Sequence, residues 1–153
     1  MASHETLLQR QERIAAHLQL IEDPHERLAF IQDRVRKRAP FSAERRIDAL
    51  RVPGCTTKVW LHCTSQGGLC IFEVDSESSM VRGLAALISD VYSGAYAEEI
   101  AAFNCTVTTV LNLDRFVSPT RLHGLDRLQE TIRTHARSLL AAQPAAAEAP
   151  GSR

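Results

Sequence analysis

The chain lacks an excess of charge of either sign. Eighteen basic residues stand against eighteen acidic ones, for a formal net charge of zero. Binding through bulk positive charge is therefore excluded, whether to nucleic acid or to an anionic membrane surface. Recognition must rest on local patches, such as the cluster Arg34, Arg36, Lys37 and Arg38. Aromatic residues make up only 5% of the chain, too few for a stacking platform for single-stranded nucleic acid. Four cysteines in 153 residues are far below the density of a disulfide scaffold. Long apolar runs are missing too: no stretch approaches the roughly 18–20 residues that span a bilayer. Glu5, Arg10, Glu12 and Arg13 break up the start of the chain, which reads as no secretory leader. The expectation is a cytoplasmic protein with reduced thiols.

What is present is globular composition, 44% hydrophobic and 24% charged. The length suits one domain, residues 1–143, followed by a Pro/Ala-rich tail, 144–153, expected to be disordered. Helical spacing of Leu7, Leu8, Ile14, Leu18 and Ile21 predicts a helix over residues 3–21. Asp23 and Pro24 form an N-terminal cap and first position for a second helix over 24–37. A short helical turn is expected at 43–46. Alternation predicts strands at 57–64 and 69–74, joined by a hairpin at Gly67-Gly68, with 49–52 as a third strand. In the first strand Val59, Leu61 and Cys63 point one way, and Lys58, Trp60 and His62 the other. Asp75 and Glu77 read as first-turn acids of a broad-faced central helix through Met80, Leu84, Ile88 and Tyr92. A shorter helix follows over 96–103. Residues 104–116 fit a strand or a short helix. A last helix starts at Pro119, with Leu122, Leu125, Leu128, Ile132, Ala136 and Leu139 inward.

The cysteines differ in setting. Cys63 and Cys70 lie inside strands and Cys105 near a helix end, all positions for small core residues. Cys55 follows Pro53-Gly54 on a bend, where a thiol can be exposed and moved. Arg51 and Lys58 are close enough in sequence to favour its thiolate. Cys55, His62, Cys63 and Cys70 lack zinc-ligand spacing, since neighbours on a strand face opposite ways, so no metal is expected. A cluster scaffold is likewise not expected, as it needs several converging ligands. His62 and His123 are the candidate bases for a hydrolase nucleophile, but nothing couples either to Cys55. No phosphate-binding loop is present.

The segment Gly54-Cys55-Thr56-Thr57-Lys58-Val59-Trp60 resembles the GCxxxVW signature of the SufE/CsdE family of sulfur-acceptor proteins. Asp75-Ser76-Glu77-Ser78-Ser79-Met80-Val81-Arg82-Gly83-Leu84 is similar to the family's DS[DE]xxIVxGL block, and Ser118-Pro119-Thr120-Arg121-Leu122-His123-Gly124-Leu125 to its SPSRxxGL block. Three blocks in the same order make the resemblance specific. Thr56, Thr57 and Thr120 depart from the usual residues, a change that bears on partner choice more than on chemistry.

The resemblance implies an α+β fold, a small antiparallel three-stranded sheet covered by helices, like that of IscU-type scaffolds. It implies an accessory protein, not an enzyme, that takes persulfide sulfur from a cysteine desulfurase (SufS/CsdA-like) onto Cys55. The acceptor stimulates that desulfurase and relays the sulfur to an iron–sulfur assembly complex (SufBCD-like) or another acceptor. It needs no cofactor of its own, since the pyridoxal phosphate (PLP) belongs to the desulfurase. Gly54, Thr57, Trp60, Asp75, Glu77 and Arg121 become candidates for the docking surface or the cysteine's surroundings, with Trp60 and the central helix as apolar walls. Gly83 and Gly124 read as packing glycines. Monomer and homodimer both remain open, and the alternative reading is a small interaction domain in which Cys55 is structural.

Overall fold

The computed structural model describes residues 4–39 and 41–142. Helix α1 spans Leu7–Leu18 and α2 Pro24–Arg36. Strands β1 (Val59–Gln66) and β2 (Leu69–Ser76) form a hairpin, followed by the central helix α3 (Ser79–Tyr92). A two-residue strand β3 (Ala95–Tyr96) leads into α4 (Ala97–Ala102), the single turn α5 (Val107–Val110) and the long α6 (Pro119–Ala142). The sheet is antiparallel, in the order β1-β2-β3. This is the α+β architecture expected. The tail 144–153 lies outside the described residues.

Local sequence sets the boundaries. The first helix is shorter than expected because Thr6 caps it. Its hydroxyl accepts from the Gln9 N–H at 3.1 Å while the Gln9 side chain accepts from the Thr6 N–H at 2.9 Å. Its far end stops at Leu18, and Arg27 Nε donates to the Ile21 carbonyl at 2.6 Å. Asp23 caps α2 as expected, accepting from the His25 N–H at 3.2 Å. The hairpin turn places Gly67 at φ +59° and Gly68 at φ +84°, the left-handed region a two-residue turn needs.

Two expectations about the sheet are corrected. Residues 49–52 do not form a third strand. Asp48–Leu50 coils into a 3₁₀ turn, leaving Arg51 a lone bridge to Trp60. Val52 N–H still donates to the Val59 carbonyl at 2.8 Å, but Pro53 has no N–H to continue a ladder. The third strand is β3, on the opposite edge, pairing Leu69 with Tyr96 and Cys70 with Ala95. In addition, β2 runs on to Ser76, so Asp75 and Ser76 are strand residues. Ser78 is the N-cap of α3, accepting from the Val81 N–H at 3.3 Å.

Helix α3 is the centre of the fold. It packs on β2, α2 and α6, and Leu84, Ala85, Val91 and Tyr92 have no exposed surface. The ambiguous 104–116 region is helical, with Val107, Leu111 and Leu113 fully buried. Burial along Leu125, Leu128, Ile132 and Ala136 runs α6 across the core, bringing its N-terminal half beside the bend before β1. The basic cluster at the end of α2 is partly offset by two carboxylates, Asp33 on α2 and Asp90 on α3. Arg34 and Arg38 pair with Asp90, and Arg36 and Lys37 with Asp33. Exposed pairs of this kind contribute ~1 kcal/mol or less each.

Candidate functional site

The bend Pro53–Thr57 is held firmly at both ends and loosely between them. At the near end Val52 is 1% exposed and hydrogen-bonded to Val59. At the far end the Lys58 backbone is pinned. Its N–H donates to Glu77 Oε1 at 3.2 Å, and its carbonyl accepts from Ser76 Oγ at 2.8 Å and from the Glu77 N–H at 3.3 Å. Gly54 turns the chain at φ +81°, a conformation that favours glycine.

The Cys55 side chain points inward against α6. Its Sγ donates to the Gly124 carbonyl at 3.4 Å, and a Cβ at Gly124 would lie in ordinary contact with the sulfur, 3.5 Å away. A void of about 10 Å³ sits beside the sulfur, lined by Thr57, Val59, Val81, Thr120, Arg121 and Gly124. That is roughly the space of one water-sized sphere. Burial pushes the Cys55 thiol up from its ordinary range, against the pull of Arg127 and Arg51. Arg51 was an expected contributor. Lys58 is not among the cations acting on the sulfur, and Arg127 takes its place.

The candidate residues divide into those the fold gathers around the sulfur and those it does not. Gly54, Thr57 and Arg121 belong to the bend or the void wall. Arg121 reaches across to Met80, Nη1 to Sδ 3.9 Å. Trp60 is no wall of the void. Strand alternation puts Val59 and Leu61 inside and Trp60 on the opposite face, where the Arg46 guanidinium lies over its ring at 5.7 Å. Asp75 is no surface acid. It is 1% exposed, accepts from Arg46 Nε at 2.7 Å, and faces Arg82 Nε at 3.5 Å. Glu77 holds the base of the bend through Lys58.

Two residues of the site escaped the sequence reading. Gly124, expected only to ease helix packing, is the residue Cys55 packs on. Arg127, one turn further along the same helix face, donates from Nε to the Pro53 carbonyl at 3.4 Å, and its side chain covers Gly54. The helical spacing of Gly124 and Arg127 was the available signal. The other thiols are in different surroundings. Cys70 is fully buried and Cys105 nearly so; burial pushes Cys105 up to about 11 and the half-buried Cys63 up to about 12. Among the described residues no three His, Cys, Asp or Glu side chains are arranged to hold a metal ion.

A family model described as SufE, the Fe-S metabolism associated domain, matches residues 12–136. The chain belongs to the SufE family. An uncharacterized SufE-like protein of Rhizobium etli is 30% identical over 127 residues, covering 80% of this chain and 86% of the relative. The cysteine desulfuration protein SufE of Wigglesworthia glossinidia brevipalpis is 29% identical over 121 residues, covering 78% and 84%. The solution structure of a hypothetical protein from Thermus thermophilus superposes with a TM-score of 0.70 at 18% identity, over 87% of this chain and 97% of that one. That similarity concerns the fold. SufE membership associates the protein with Fe–S metabolism. No described helix is long and apolar enough to cross a membrane.

Proposed function

We propose that the protein is a sulfur acceptor whose nucleophile is Cys55. It takes sulfur from the persulfide of a PLP-dependent cysteine desulfurase and passes it to an iron–sulfur assembly complex or another sulfur acceptor. The observation that carries this reading is the bend itself. A thiol is tucked against a helix by one sulfur hydrogen bond, on a five-residue segment whose flanking residues are bonded to the hairpin and which otherwise meets α6 through side-chain contacts. Such a segment opens locally without unfolding the sheet or α6.

The transfer balances simply. Once the bend swings out, Cys55 leaves the desolvating pocket that raises its pKa, and its thiolate fraction rises. The thiolate attacks the outer sulfur of the donor persulfide. A new S–S bond forms at Cys55, the donor's S–S bond breaks, and the donor cysteine departs as a thiolate. No net oxidant or reductant is required. Swinging back, the persulfide is shielded between α6 and Val59 and Val81, beside the Arg121 guanidinium. Delivery repeats the exchange, with an acceptor thiolate attacking the outer sulfur. PLP acts within the desulfurase, and this chain works without a cofactor. Stimulation of the desulfurase follows from this scheme, because removing the persulfide frees the donor cysteine for another turnover.

The test uses the protein with a cysteine desulfurase, PLP and L-cysteine. Intact-mass and peptide analysis should place one added sulfur atom on the Cys55 peptide and none on those of Cys63, Cys70 and Cys105. A Cys55→Ser variant should gain no sulfur and should not raise desulfurase turnover. Labelling of that variant equal to wild type would overturn the proposal and leave Cys55 a structural residue.

A further inference from the structure

Arg127 sits on α6 one turn beyond Gly124, the residue that accepts the Cys55 thiol hydrogen bond. Its Nε donates to the carbonyl of Pro53, 74 positions away in the chain, at 3.4 Å. The same side chain lies flat on Gly54. A Cβ at that glycine would stand 3.2 Å from Nε, 3.5 Å from Cγ and 3.6 Å from Cδ. Gly54 is thus favoured by its φ of +81°, and a side chain there would also press on Arg127. The bend is otherwise attached to α6 through the Cys55–Gly124 contact, which the chemistry of the thiol must break.

We propose that Arg127 is a positioning residue that latches the cysteine bend in its inward state by gripping the Pro53 carbonyl and covering Gly54. The latch sets how often Cys55 is presented. Because it bonds backbone and not the thiol, it holds the bend equally whether Cys55 carries a proton or an extra sulfur. Its charge lies close enough to the sulfur to favour the thiolate, with Arg51 and Arg121 as the other cations facing the bend. The consequence for sulfur transfer rests on Cys55 being the acceptor. The latch itself does not, and its test needs no desulfurase.

The experiment is alkylation of native Cys55 by iodoacetamide as a function of pH, read by peptide mass analysis. Arg127→Met keeps an apolar stem over Gly54 but removes donor and charge. It should raise the high-pH plateau rate about three- to fivefold, as expected for loss of one backbone-directed hydrogen bond, and move the midpoint to higher pH. Arg127→Lys keeps the charge, so its midpoint should stay near wild type while its plateau rises. Thermal unfolding midpoints of both variants should stay close to wild type, because the altered side chain lies outside the core. An unchanged plateau in Arg127→Met overturns the latch. So does a rise matched by equal acceleration at Cys105, which would mean global loosening.

Discussion

Helix α6 holds two cysteines, and it holds them in opposite ways. At its N-terminal part Cys55 rests on Gly124 through one long sulfur hydrogen bond, with a void at its side. Further along, the backbone of Cys105 is gripped on both polar groups. Gln129 Nε2 donates to its carbonyl at 2.8 Å, and Gln129 Oε1 accepts its N–H at 3.1 Å. The Tyr92 hydroxyl lies 2.8 Å from Gln129 Oε1, 3.0 Å from the Phe103 carbonyl and 3.2 Å from the Cys105 nitrogen, while Arg133 Nη1 closes on Gln129 Oε1 at 3.2 Å. A network of this kind is costly to open, because each buried group left unpaired costs about 1–3 kcal/mol. Both thiols are buried and both are pushed up by burial. Burial alone does not decide which one can react. The number and strength of the contacts that must break to expose it does.

The largest expected effect follows directly. Under native conditions near pH 8, alkylation of Cys55 should exceed that of Cys105 by at least about a thousandfold, since one needs a local opening and the other the near-global one. Low concentrations of urea sharpen the contrast. Cys105 labelling should accelerate with the full denaturant slope of unfolding, and Cys55 labelling should barely respond. Equal rates, or equal slopes, would erase the distinction between the two ends of the helix. A smaller effect comes from cutting the network. Gln129→Ala leaves the carbonyl of Cys105 without its side-chain partner and its N–H with the Tyr92 hydroxyl alone, and should cost about 1–3 kcal/mol in chemical denaturation. Cys55 labelling in folded Gln129→Ala should stay near wild type. A loss below about 0.5 kcal/mol would mean that water replaces the amide and that the grip is not the source of rigidity.

The same contrast explains what the sequence revealed. The reactive candidate was legible because its signal is local: a proline, a glycine and a cysteine in succession, ahead of an alternating strand. The periodicity of α3 and α6 showed the core, and Asp23-Pro24 the start of α2. Missed features all depend on pairings between distant segments. Ala95–Tyr96 is a strand of two residues, too short to show alternation, and only its partners Leu69 and Cys70 make it one. Asp75 stands in a serine-rich run that looks like a helix start. Opposite Trp60 in the ladder, and between Arg46 and Arg82, it becomes instead a buried ion-pair anchor. Gln129 interrupts an apolar face, and its role appears only with Cys105 beside it. Arg127 is an ordinary helix-surface arginine until Pro53 and Gly54 fold against it.

The finest probe of the comparison is Gly124→Ala, which alters the loose end without touching the tight one. A Cβ at Gly124 would stand 3.5 Å from Cys55 Sγ and 3.9 Å from Cys55 Cβ, ordinary contact that requires no displacement. Within a helix, alanine is favoured over glycine by up to about 1 kcal/mol, so the variant should melt at or slightly above the wild-type temperature. The added methyl occupies the neighbourhood of the 10 Å³ void, the space next to the thiol where the outer sulfur of a persulfide would tuck. Cys55 should therefore still accept sulfur at a rate near wild type, because acceptance happens with the bend outward. The persulfide should then be lost faster to an added thiol reductant, because the inward state no longer accommodates it. Stability and sulfur retention would move in opposite directions in a single substitution, which a general loosening of the fold cannot produce. If the persulfide of Gly124→Ala survives reductant as long as that of wild type, the void beside Cys55 is not where the outer sulfur resides, and its protection must come from the latch and the closed bend alone.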